Sequence, residues 1–169
     1  MPDAFVPQDW AAGVNAAFPV APLGSSNSHG NMWWSTAVET VVSVADTPVK
    51  ALGTTTFRAD VAQDFDMPAN NRLRYLGRQV SHFLVTVALS MTSASNIQTL
   101  GLYLAKNDTV IPSTEIKRKV GTGSDIGAVS VVTLIEMGQN DYVELWVANE
   151  LTTGNVTIEL ADFIITEVG

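Results

Sequence analysis

Residues 141–149 form a strand with two different faces, and no other segment constrains the fold of this chain as much. Side chains along an extended strand point alternately to its two sides. One side is aliphatic and the other is largely aromatic, namely Val143, Leu145 and Val147 against Tyr142, Glu144 and Trp146. The aliphatic side is typical of a sandwich core, and the aromatic side indicates contact with a partner. This strand therefore favours a role in assembly over a role in catalysis.

Short extended runs, separated by turn residues, continue along the rest of the chain. The predicted strands include 40–44, 54–57, 73–76, 79–91, 100–105, 113–120, 129–137, 142–147 and 156–168. The polar run 113–120 suits a sheet edge, and Asn107-Asp108 predicts a tight hairpin turn. No window has a sustained helical period. Roughly eight to ten antiparallel strands at this spacing predict an all-β sandwich or barrel.

Composition excludes several classes of partner and of site. The 169 residues carry a net charge of −8, which argues against nucleic acid, because phosphate binding needs clustered cations. The chain has no cysteine, and no apolar run approaches the ~20 residues that cross a bilayer, so we expect no membrane contact. Only 15% of residues are charged while 46% are hydrophobic, which indicates surface buried between subunits.

The first 34 residues predict an extended N-terminal arm, and residues 35–169 predict the folded domain. The arm contains four prolines and a Ser/Gly-rich run at 24–30, which is loop chemistry. It also contains aromatic residues, which disordered linkers usually lack. We expect Phe5, Trp10 and Phe18 to anchor the arm on a partner. An arm that packs on its own domain is the alternative.

Catalytic and metal-binding chemistry find little support in the sequence, so we expect neither an enzyme nor a cofactor. His29 lies in the Ser/Gly-rich run and His82 lies early in a strand, and no nucleophile and carboxylate are singled out beside either. Asp60, Asp64 and Asp66 are oxygen donors of the kind that calcium prefers. They do not match a calcium-binding loop, and a solvated acidic face explains them better.

Several short motifs in the second half of the chain carry a resemblance to a known fold family. They are the strand 83–87, the strand and turn 101–110 with Lys106-Asn107-Asp108-Thr109-Val110, the strand 140–147, and the apolar C-terminal strand around 163–165. Over about residues 72–168 the chain resembles the trimeric jelly rolls of tumour necrosis factor and the complement globular heads. Two positions depart from the family pattern, because Asp108 and Asn140 stand where glycine is usual. The runs 66–75 and 90–96 are similar to small virion proteins of tailed bacteriophages that carry this jelly roll.

This resemblance implies a jelly-roll sandwich that forms a homotrimer. We expect the aromatic side chains to lie in the trimer interface, namely Tyr103, Tyr142 and Trp146. A sugar-stacking platform that includes these residues and Tyr75 is the alternative. In tailed-phage virions this module serves as a head decoration protein or as the head of a fibre. Together with the aromatic residues of the arm, the resemblance leads us to expect a capsid decoration (cement) protein that is made in the host cytoplasm, binds the major capsid protein and stabilises the outer surface of the phage head. A receptor-binding head on a phage fibre or tail, which recognises a host glycan or protein through loops such as 93–97 or 121–125, is the second hypothesis.

Overall fold

The computed structural model describes residues 27–122 and 125–168, and these residues fold into two facing antiparallel sheets. The prediction of an all-β jelly-roll sandwich is confirmed. The strands are β1 (His29–Ala37), β2 (Glu39–Thr40), β3 (Val49–Lys50), β4 (Gly53–Phe57), β5 (Phe65–Ala69), β6 (Arg72–Tyr75), β7 (Ser81–Ser93), β8 (Gln98–Lys106), β9 (Thr109–Val120), β10 (Gly127–Met137), β11 (Tyr142–Asn149) and β12 (Val156–Glu167).

The strands divide into two sheets of six, which we call sheet 1 and sheet 2. Sheet 1 has the order β10-β7-β12-β1-β4, with β2 also paired to β12. Sheet 2 has the order β5-β6-β11-β8-β9, with β3 also paired to β11. Consecutive long strands such as β7 and β8, or β11 and β12, lie in different sheets. The chain therefore crosses repeatedly between the two layers, as in a jelly roll.

The core lies between the sheets and is filled by alternate residues of each strand. On β11 these are the aliphatic residues that the sequence predicts, Val143, Leu145 and Val147, and all three are fully buried. Phe83, Val85 and Val87 of β7 supply the matching layer from sheet 1. The aromatic rings of Phe65, Tyr75 and Phe83 pack together at one end of the core, with centroids between 4.8 and 5.4 Å apart.

The predicted hairpin turn at Asn107-Asp108 is confirmed, and the structure explains why it needs no glycine. Asn107 has φ 51° and Asp108 has φ 60°, which is the pair of left-handed residues that a type I′ turn requires. Asn140, in front of β11, has φ 70°. Asn and Asp tolerate this region better than other residues with a Cβ. Asp108 and Asn140 therefore adopt the left-handed conformation that glycine adopts readily.

Two predicted boundaries differ from the structure. The strand predicted at 40–44 ends at Thr40, because the backbone N–H of Val42 is directed to the side chain of Asn155 and not to a neighbouring strand. The boundary between arm and domain, placed after residue 34, falls inside β1. Trp33 and Trp34 pair with β4 and belong to the sandwich. Residues 1–26, which include the predicted anchors, lie outside the described residues.

A carboxylate clamp joins the two ends of the described chain. The backbone N–H of Ser28 donates to the Glu167 carboxylate at 2.9 Å, and the backbone N–H of Glu167 donates to the Ser28 carbonyl at 2.8 Å. The Ser81 hydroxyl donates to the other oxygen of the same carboxylate. We call this end of the sandwich the base. The opposite end, the tip, carries residues 94–97, 121–122, 125–126 and 150–155.

The clamp predicts a stability change in acid. The Ser81 hydroxyl, and then the Ser28 N–H, hold the pKa of Glu167 below its usual value. Because the folded-state pKa is depressed, the stabilisation is complete above the unfolded value of 4.5 and is lost as the pH falls below it. Glu167→Gln should lower the free energy of unfolding at pH 7 by about 1 kcal/mol, measured by urea denaturation.

The same substitution should cost less at pH 3, where the wild-type carboxylate is also losing its charge. Glu159→Gln is the matched control, since Glu159 lies on the same strand and accepts a hydrogen bond from Thr92 at the tip. A Glu167→Gln protein as stable as wild type at pH 7 would contradict a role for the clamp.

Candidate interaction surfaces

The outer side of β11 has a buried carboxylate at its centre. Glu144 is 0% exposed although it lies between two aromatic residues on the side that faces away from the core. Its Oε1 accepts from Lys50 Nζ at 2.5 Å and from Arg72 Nη2 at 2.7 Å. Lys50 comes from β3, which pairs with β11, and Arg72 comes from β6. Two cations compensate the burial of one carboxylate, because an unpaired buried charge would be strongly destabilising.

Tyr142 and Trp146 flank this carboxylate and take part in the same network. The Arg72 guanidinium lies over the Tyr142 ring, 3.8 Å from its centroid, and the Tyr142 hydroxyl donates to Asp108 at 2.6 Å. That hydrogen bond raises the pKa of Tyr142. The indole N–H of Trp146 donates to Glu144 at 3.3 Å. Both side chains are half-buried, so each keeps one exposed side for a partner.

Tyr103, the third predicted interface residue, lies opposite Trp146 on the neighbouring strand β8. Its side chain is only 6% exposed. Its hydroxyl lies 2.7 Å from Glu115 and 3.0 Å from Glu150, and Lys117 bridges these two carboxylates. Burial and the two carboxylates raise the pKa of Tyr103. The structure thus brings Tyr103 and Trp146 together, and their role in a trimer interface stays a prediction.

The predicted sugar platform loses one member. Tyr75 points into the core, where it is 3% exposed and contacts Phe65 and Phe83. It is therefore not available for stacking against a ligand.

The outer face of sheet 1 carries an apolar surface that the sequence reasoning did not identify. Leu84 of β7 lies opposite Leu134 of β10, and Thr86 lies between Val132 and Ile164. Leu134 is 61% exposed and Leu160, near the tip end of β12, is 64% exposed. A partial signal was present, because the outward positions of β10 and β12 include Val132, Leu134 and Ile164, and aliphatic residues on both sides of a strand indicate that both faces are covered. We call Leu84, Val132, Leu134, Leu160 and Ile164 the apolar face.

Beside the apolar face, sheet 1 contains a groove of about 790 Å³. β1 and β12 form the floor of the groove, and the segment that follows β4 forms its outer wall. Trp33, which is 40% exposed, faces Asp162 across the strand pair. The remaining lining residues are His29, Gly30, Asn31, Arg58, Val61, Ile164 and Thr166.

The residues considered for catalysis or for calcium contact other side chains and backbone groups. His82 lies 3.6 Å from Glu136 at the surface, and the Nδ1 atom of His29 contacts the Asn27 carbonyl. Asp60 pairs with Arg58, and Asp66 pairs with Arg74. Within residues 27–122 and 125–168, no three acidic or histidine side chains are grouped as metal ligands. The part of the chain that is described also contains no helix long and apolar enough to span a membrane.

No protein-family model and no curated protein matches the sequence. Among solved structures, the fold is similar to that of murine APRIL, with a TM-score of 0.54 and 7% identity, covering 83% of this chain and 99% of APRIL. The Eiger TNF of S. frugiperda gives a TM-score of 0.51 and 10% identity over 85% of this chain and 93% of Eiger. The PRD1 vertex protein P5 gives a TM-score of 0.54 and 9% identity over 86% of this chain and 100% of P5. The resemblance to tumour-necrosis-factor-like jelly rolls, including one from a phage, is therefore confirmed for the fold.

Proposed function

We propose that this chain is a non-enzymatic structural protein of a phage virion, a capsid decoration protein that forms a homotrimer and binds the major capsid protein. The observation that carries the proposal is the apolar face of sheet 1, which a soluble monomer would leave in water. The structural likeness to the PRD1 vertex protein P5 supports a place in a virion. The expectation of a trimer comes from the resemblance to trimeric jelly rolls.

Self-association explains the apolar face better than a lone monomer does. Exposed aliphatic side chains scattered singly are ordinary, but several of them on the same face of three paired strands mark a binding surface. Asp162 is the one acidic residue among the cross-strand pairs that lie between Leu160 and Leu84 on this face. Its partners in the neighbouring strands are Ala88 and Trp33. A face with so little charge costs little to desolvate, so its burial between copies is favourable at roughly 25 cal/mol per Å² of apolar area.

Attachment to the capsid is assigned to the N-terminal arm, with Phe5, Trp10 and Phe18 as its anchors. These residues lie outside the described residues, and their aromatic character is the support for this step. The clamp fixes the point where the arm leaves the base, beside Glu167. In a trimer, three linked arms would bind with avidity, because each released arm rebinds before the others dissociate.

The receptor-binding head of a phage fibre or tail remains a second candidate, because of one feature of the tip. Ile97 has φ 53°, a left-handed conformation that is costly for a β-branched residue, and its side chain is 54% exposed. Its N–H donates to the Gly121 carbonyl at 2.8 Å, which holds the loop in place. Strained, exposed residues on fixed loops occur at binding sites. Many copies over the head would indicate decoration, and a few copies at a tail or fibre tip would indicate receptor binding, as seen by electron microscopy of the particle.

One prediction concerns the oligomer. It separates two candidate subunit interfaces, the apolar face of sheet 1 and the outer side of β8 and β11 on sheet 2. Wild type should have three times the 18.1 kDa mass of one chain, measured by light scattering after size exclusion. Leu134→Lys should reduce that mass to a single chain, because a charge would be buried in the apolar face. Val80→Lys, at an exposed valine outside this face, should leave the trimer intact.

Trp146→Ala tests the interface predicted on sheet 2. If it dissociates the trimer while Leu134→Lys does not, the subunits meet through β8 and β11 and the apolar face has another partner. A monomeric wild type would contradict the trimer as such.

Another prediction concerns the role of the N-terminal arm in capsid binding. Deletion of residues 1–26 should leave an oligomer with unchanged circular dichroism that no longer co-sediments with capsids. The triple variant Phe5→Ser, Trp10→Ser, Phe18→Ser should reduce co-sedimentation at least about tenfold, because buried aromatic anchors dominate binding. The matched control is Ala4→Ser, Ala11→Ser, Ala17→Ser, which keeps the anchors. Full capsid binding by the deleted protein would refute the role of the arm.

A further inference from the structure

The groove beside Trp33 has fixed walls. The backbone N–H of Arg58 donates to the Asn31 carbonyl at 3.0 Å, which holds the start of the outer wall against β1. Gln63 and His29 exchange two backbone hydrogen bonds, of 2.8 and 3.0 Å, which hold its other end. Val61 lies between these two attachments and lines the groove. The groove is therefore formed in advance and does not need to open around an occupant.

The chemistry of the lining combines an aromatic surface with hydrogen-bond donors. Trp33, Val61 and Ile164 provide apolar contact, and the Trp33 indole N–H and the Arg58 guanidinium, which also pairs with Asp60, are donors. Asp162 adds a carboxylate that accepts a hydrogen bond from the Asn31 side chain. Polyproline II segments dock in grooves of this kind, because they present apolar rings together with backbone carbonyls that have no internal partner.

A segment with the matching pattern precedes the groove in the same chain. Residues 19–23 read Pro-Val-Ala-Pro-Leu, with prolines three positions apart and no charge. Proline fixes φ near −65°, so this segment favours the polyproline II conformation before it binds. The run 24–27, Gly-Ser-Ser-Asn, has the composition of a chain reversal.

The distances are compatible with docking. The chain joins β1 through Ser28, and the next residue, His29, already lines the groove. Val20 is eight residues before Ser28, a reach of about 25 Å at the polyproline rise of ~3.1 Å per residue. The groove runs along β1 from His29 to Trp33, a length of only about 13 Å at the strand rise of ~3.3 Å per residue.

We propose that residues 19–23 bind in the groove lined by Trp33, Val61 and Ile164, as a polyproline II ligand supplied by this chain itself. The docked segment fixes the direction in which residues 1–18 leave the domain. This docking needs no capsid. Ile164 also belongs to the apolar face, so the tests use groove residues outside that face, and their outcome is separable from that of the proposed function.

Disulfide trapping in the full-length protein tests the docking, and the chain suits the method because it contains no cysteine of its own. The double variant Val20→Cys, Val61→Cys should form a disulfide under mild oxidation at least about tenfold faster than Val20→Cys, Val80→Cys, because docking raises the effective concentration. Val80 is a fair control, since it is exposed and adjacent to Ser81, which shares the Glu167 clamp with Ser28.

Two further variants confirm the specificity of the trap. Trp33→Ala removes the aromatic surface of the groove, and the double change Pro19→Ala, Pro22→Ala removes the polyproline bias. Each should slow formation of the Val20–Val61 disulfide toward the control rate. A covalent monomer on a non-reducing gel indicates docking within one chain, and a covalent dimer indicates the groove of a neighbouring copy. Equal trapping rates at Val61 and Val80, or rates unaffected by Trp33→Ala, would overturn the proposal.

Discussion

The antiparallel pairing of β12 with β7 on one side and with β1 on the other is the interaction on which the rest of the structure depends. It places β12, the last strand of the described part of the chain, at the centre of sheet 1, beside β1, the first. Phe163 and Ile165 then point into the core, while Leu160 and Ile164 point outward. The apolar face, the floor of the groove and the clamp at the base all include residues of this one strand.

Much of the fold follows from the sequence because one face of most strands is buried. Where core residues occupy every second position, as in 83–87 or 143–147, the register is determined by burial of that face. The hairpin at Asn107-Asp108 follows from the few residue types that adopt left-handed conformations without glycine. Boundaries were less predictable: β-branched composition indicated a strand at 40–44, but Val42 bonds to a side chain and the sheet ends at Thr40.

The surfaces were harder to predict than the core. Glu144 alternates with Tyr142 and Trp146, and a charged residue at such a position is normally exposed. It is buried because Lys50 and Arg72, distant in sequence, reach it from β3 and from β6. The apolar face likewise depends on pairing between β7, β10 and β12, so only the three-dimensional arrangement brings its members together.

The clamp between Ser28 and Glu167 also determines how this domain could present another polypeptide. A sequence joined to the C-terminus would emerge beside the arm and compete with it for space at the same end of the sandwich. An insertion in the tip loop at 94–97 would instead project from the far end, where residues on that loop are already held by Gly121 and Asn155. A peptide to be displayed away from whatever the arm binds therefore belongs in that loop and not at a terminus.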